Sequence, residues 1–95
     1  MGGLVWDARK NAKLRRDRGV TFEDVVRAMS DGRVLRIMEH SYQRRYRGQR
    51  LMVIDLGGYA YLVPFSESDG DIILKTVIPS RKATREYLKG GRKHG

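Results

Sequence analysis

The sequence predicts an α+β domain: two N-terminal helices, an antiparallel sheet of about four strands and a short C-terminal helix. Three observations carry this. Apolar residues recur at helical spacing before Gly32 and again after Ser80, and between them the apolar period is two. Helices grouped ahead of a strand meander also do not interleave with strands as a parallel crossover fold requires. At 95 residues the chain is one domain, near the lower end of what buries a self-sufficient core.

Val5 and Trp6 read as a short strand or apolar plug ahead of Asp7, which caps a helix reaching about residue 17, with Gly19 closing it. Its apolar residues are mainly Ala8, Ala12 and Leu14, so it packs by a narrow stripe. Thr21 with Asp24 forms a capping box for the second helix, with Val20 stapled to Val25. Phe22, Val25, Val26 and Met29 are its core face and Gly32 its C-cap. Val34, Leu35, Ile37 and Met38 then form a strand, followed by a basic loop over about residues 40–49. Residues 50–55 and 59–65 make a hairpin around Gly57 and Gly58, which supply the positive φ of a tight turn. Pro64 cannot donate to a ladder, which places an edge or a bulge there. Residues 66–71 read as a loop with an Asp-Gly turn signal, and residues 72–78 as the next strand, stopped by Pro79. Ser80 caps the last helix over about residues 81–88, with Ala83, Tyr87 and Leu88 inward and a flexible basic tail over residues 89–95.

Lys and Arg number 20 against 11 Asp and Glu, a formal net charge of +9 that fits a nucleic-acid binder or an acidic protein partner. The cations lie in three runs: Arg9, Lys10, Lys13, Arg15, Arg16 and Arg18; Arg44, Arg45, Arg47 and Arg50; and Arg81, Lys82, Arg85, Lys89, Arg92 and Lys93. There is no Cys and His occurs twice, which excludes thiolate chemistry and leaves few ligands for a metal. No cofactor is expected. No stretch suits a membrane span or signal peptide, so the expected location is the cytoplasm, without membrane contact.

No carboxylate pair, serine elbow or Walker loop stands out. The remaining set of cations, phenols and one histidine suits RNA, whose ribose 2′-OH is its own nucleophile. A protein then orients it, moves protons and stabilises charge on the phosphate. His40, Tyr46 and Lys75 are candidates for proton transfer, and Tyr42 or Tyr46 for stacking a base. Arg81 and Lys82 sit where a helix N-terminus favours anions, which suits them to the scissile phosphate. Arg44, Arg45, Arg47, Gln49 and Arg85 complete the RNA-binding set. The simpler reading of His40 is a surface histidine, and of Arg81 and Lys82 a solvated pair. Lys75 interrupts an apolar strand, so it must snorkel or face a functional surface.

Trp6-Asp7, Lys10-Asn11, the run 18–24 (Arg-Gly-Val-Thr-Phe-Glu-Asp) and the run 78–84 (Ile-Pro-Ser-Arg-Lys-Ala-Thr) resemble the BrnT-type toxins of bacterial type II toxin–antitoxin systems. The similarity extends over about residues 5–88. It implies a RelE-like fold, metal-independent endoribonuclease activity on mRNA, free or on the ribosome, and translation inhibition. It also implies a small cognate antitoxin, acidic in its toxin-binding segment. Typical members carry Lys-His-Gly at residues 17–19, where this chain has Asp-Arg-Gly, so a role for that histidine does not carry over. The arginine matching Arg81 is retained. The competing reading is a non-catalytic nucleic-acid-binding or adaptor module of the same fold, in which the same cations only contact phosphate.

Overall fold

The N-terminal third folds as its caps dictate. In the computed structural model, which describes residues 2–40 and 42–89, strand β1 (Leu4–Val5) leads into α1 (Ala8–Arg18) and α2 (Phe22–Ser30). The Asp7 carboxylate accepts the Arg9 and Lys10 N–H groups at 2.8 and 3.1 Å, and Gly19 ends α1 at φ 70°. Both halves of the Thr21–Asp24 capping box form, and the Gly32 and Arg33 N–H groups close α2 on the Met29 and Ala28 carbonyls. Asn11 joins the helices: its Oδ1 accepts the Phe22 N–H at 2.7 Å and its Nδ2 donates to Glu23 at 2.8 Å.

The strands that follow are β2 (Val34–Glu39), β3 (Arg50–Leu56), β4 (Tyr59–Ser68), β5 (Asp71–Leu74) and β6 (Ile78–Pro79). Lateral order is β1-β5-β4-β3-β2, with β6 also on β4. The sheet thus has six strands rather than about four, and it is not wholly antiparallel, because Leu4 and Val5 run parallel to Ile72 and Ile73. A two-residue strand carries no periodicity of its own; only its distant partner defines it. The expected loop over residues 66–71 is instead a tight hairpin. β4 continues to Ser68, and Asp69 and Gly70 turn it at φ 51° and 85°, the mirror-image turn that matches strand twist.

The single strand expected over residues 72–78 is divided into β5 and β6 by a bulge. Phe65 pairs with Leu74 and Leu62 with Ile78, so residues 63–64 of β4 face residues 75–77. Pro64 explains the position. Its carbonyl accepts the Lys75 N–H at 2.9 Å, so its missing donor points to the same side, where a regular ladder would demand one. Arg18 Nη1 donates to the Val77 carbonyl at 2.6 Å and fastens the end of α1 to the bulge.

Strand alternation assigns residues to two faces. On one, Met52, Ile54, Val63, Phe65, Leu74 and Val77 pack against Leu14, Val20, Phe22, Val25 and Ala28. Trp6 stacks on Phe22 with ring centroids 5.6 Å apart. On the other, Val53 and Ala60 are covered by the C-terminal helix through Ala83, with Tyr87 and Leu88 alongside. That helix begins as α3 (Arg81–Ala83) and continues in π geometry over Thr84–Lys89, so Lys89 is helical rather than the first residue of a tail. The rest of the expected tail, residues 90–95, lies outside the described residues. Among the described residues no helix is long and apolar enough to cross a membrane.

Candidate nucleic-acid interface

The C-terminal helix crosses its face of the sheet because one hydroxyl relays a ladder bond. Ser80 N–H donates to the Ala60 carbonyl at 3.0 Å, continuing β6, but the Ser80 carbonyl is already the first acceptor of the helix, taking the Thr84 N–H at 3.0 Å. The buried Thr84 hydroxyl resolves the conflict: it accepts the Ala60 N–H and donates to the Ser80 carbonyl, both at 2.8 Å. The Ser80 hydroxyl accepts the Ala83 N–H at 3.0 Å, capping the helix as expected. Ala60 and Ala83 are small enough to let the helix sit close to β4.

Between that helix and the sheet lies a groove of about 300 Å³. Met38, Leu51, Val53 and Leu62 form an apolar floor, and Arg36, Lys82, Glu86 and Tyr87 supply its polar groups. Arg36 Nη1 donates to the Tyr87 phenol oxygen at 3.2 Å, which orients the ring and leaves the phenol proton free to donate. Of the expected phosphate pair, Lys82 borders this groove; Arg81 and Arg85 are exposed and do not border it. Arg36 is the residue the sequence reading passed over. It interrupts the apolar run of β2 just as Lys75 interrupts that after Leu74, and the same argument would have found it.

The loop between β2 and β3 forms a second, aromatic unit. His40 stacks on Tyr46 with centroids 4.4 Å apart, Tyr42 tilts against Tyr46 at 6.5 Å, and the Arg45 guanidinium lies 5.7 Å from the Tyr46 ring centre. His40 Nδ1 accepts the Tyr42 N–H at 3.2 Å, which puts the proton of the neutral ring on Nε2. Gln43 bridges the His40 and Gln49 carbonyls at 3.0 and 2.9 Å and closes the loop mouth. Gln49 contributes through its backbone, its carbonyl also accepting the His40 N–H at 3.2 Å. Tyr42 is 60 % exposed and Arg44 and Arg47 are exposed, so the loop presents one free ring among cations. The groove and this loop are separate units: His40 and Tyr46 do not border the groove.

Lys75 joins neither. It borders a hollow beside β1 and the start of α1, with Val5, Trp6, Asp7 and Lys10. Arg18 is committed to the Val77 carbonyl.

Among the described residues only two ion pairs form, Lys13 with Asp17 at 2.7 Å and Arg27 with Asp24 at 3.2 Å, both well exposed. Most of the positive charge therefore has no internal counter-charge, which favours an anionic partner. The carboxylates that are shifted lie on the helices. N–H donation from Lys10 and Arg9 holds Asp7 below the usual carboxylate range; the Lys13 ammonium does so for Asp17, and the Asn11 amide for Glu23. Among the described residues no three His, Asp or Glu side chains converge to hold a metal.

No protein-family model and no curated protein matches this chain. The likeness to BrnT-type toxins rests on its motifs alone.

Proposed function

We propose that this protein is the toxin of a type II toxin–antitoxin pair, a RelE-like, metal-independent endoribonuclease that cleaves mRNA and inhibits translation. The observation that carries the reading is the groove beneath the C-terminal helix, where Arg36, Lys82 and Tyr87 surround an apolar floor. The apolar floor takes a splayed base or ribose, and Lys82 holds the phosphate. The 2′-oxygen attacks phosphorus and the bond to the 5′-oxygen breaks. One group removes the 2′ proton while another gives a proton to the departing 5′-oxygen, leaving a 2′,3′-cyclic phosphate and a 5′-hydroxyl. Tyr87, oriented by Arg36, makes one of these transfers. The His40–Tyr46 loop binds the flanking single strand by stacking and by Arg44, Arg45 and Arg47. An antitoxin with an acidic segment neutralises the cations of α1 or of this loop.

Induced expression should arrest growth, relieved by co-expressing the adjacent gene, and RNA incubated with the purified protein should yield cyclic-phosphate ends. Growth and bulk translation left untouched in several hosts would sink the toxin reading. RNA bound with a steep salt dependence but left uncut would assign the protein to non-catalytic modules instead.

A further inference from the structure

The hollow that holds Lys75 has the makings of a binding site of its own. It has a volume of about 390 Å³, within the range of small-ligand pockets. Val5, Trp6, Ile73 and Leu74 give it an apolar border that includes an aromatic ring. The ring is fixed, because Trp6 stacks on the fully buried Phe22. Two lysines border the same space, Lys10 from the first turn of α1 and Lys75 from the bulge. Neither has an ion-pair partner among the described residues. Asp7 is the one acid at the rim; its Oδ1 accepts the Arg9 and Lys10 N–H groups, which ties it to the positive end of the helix, and its single charge does not balance two lysines. At least one lysine charge is thus left over. A half-buried lysine that interrupts a strand of Ile, Leu and Val, yet is not drawn to any acid, marks a place where the anion comes from outside.

We propose that this hollow binds one nucleotide unit, its phosphate between Lys10 and Lys75 and its base against Trp6 and Val5. The combination selects the class: two cations require an anion, and a rigid aromatic surface requires a flat apolar body joined to it. An acidic peptide brings the charge without the flat body. The site stands on its own residues and does not depend on the ribonuclease reading.

Trp6 is the only tryptophan of the chain, so its fluorescence reports on this hollow directly. Adenosine monophosphate and a single-stranded adenosine hexanucleotide are titrated separately into the full-length protein. Saturable quenching is expected. Quenching by both probes identifies a site for free nucleotides; quenching by the hexanucleotide alone identifies a stop on the path of a strand. Lys75→Gln and Lys10→Gln should each weaken binding about tenfold, the value of one charge-assisted contact, whereas Lys75→Arg should retain it. Arg33→Ala, at an exposed residue that does not border the hollow, should leave quenching by the mononucleotide unchanged. An unaltered emission spectrum and melting curve of each unliganded variant shows that its fold persists. Absence of quenching by both probes, quenching indifferent to the Lys10 and Lys75 variants, or a response confined to an acidic peptide would each overturn the proposal. Failure of growth arrest or RNA cleavage, by contrast, bears only on the toxin assignment.

Discussion

The two faces of the sheet are built from the same strands and do opposite things. In β3, Met52 and Ile54 are sealed under α1 and α2, while Leu51 and Val53 lie on the face crossed by the C-terminal helix. The first face buries large side chains from every long strand except β2. On the second, Val53, Ala60, Ala83 and Thr84 are buried, all but Val53 with small or polar side chains, and Arg36, Lys82 and Tyr87 stand around an open groove. A strand alternates direction at each residue, so one β-strand can hold a core with one set of alternate positions and offer a binding floor with the other.

This contrast can be broken from either side. The largest effect is expected on the closed face. Phe22→Ala removes a fully buried ring from the centre of that core and should cost about 3–5 kcal/mol in chemical denaturation, enough to unfold much of a small domain. A loss below about 1 kcal/mol would mean that the helices are not docked as described. On the open face the expected loss is in activity. Lys82→Ala should lower RNA cleavage by about 100- to 1,000-fold, the scale of removing one donor from a developing anion, and leave the melting temperature nearly unchanged. A folded Lys82→Ala protein that cuts RNA at the wild-type rate would remove this residue from the site.

Thr84→Val tests the junction between the two regions. It leaves the Ala60 N–H buried without a partner and should cost about 1–3 kcal/mol. Amide exchange of Ala60 should rise with it; unchanged protection would show that another acceptor takes over. The smallest effect concerns acid. Because the folded-state pKa of Asp7 is lowered, its contribution is present above the unfolded value, near pH 4, and disappears as pH falls through the folded value. Asp7→Asn keeps a capping side chain, so its stability should match wild type near neutrality and fall less steeply on acidification. Parallel acid curves would assign the loss to other carboxylates.

What could be read from the sequence followed how local its cause was. The caps of α1 and α2, the Gly57–Gly58 hairpin and the irregularity at Pro64 each depend on residues within a few positions, and each is found where expected. The parallel pairing of β1 was not legible, because Leu4 and Val5 become a strand only in the presence of Ile72 and Ile73. Neither was the π geometry after Ala83, which no residue type in that segment announces. In the candidate interface, the cations were visible but their grouping was not. Arg36, Lys82 and Tyr87 meet across a helix–sheet contact, and the bulge that divides β5 from β6 carries Lys75 toward β1.

The pairing of β1 with β5 also bears on how the chain is made. The Gly3 N–H donates to the carboxylate of Asp71, 68 residues away, and the adjoining strand pair closes the same long interval. Such contacts have a high entropic cost until most of the chain exists, so they form late. A ribosome releases the first strand and both N-terminal helices before their sheet has been translated. The nascent chain therefore carries its cationic helix without a docked structure until the strands up to β5 have been made, and the groove forms only once the helix that starts at Arg81 has emerged. Any surface that depends on these elements is absent from products truncated before them, so binding through it begins only with chains that contain the helix from Arg81.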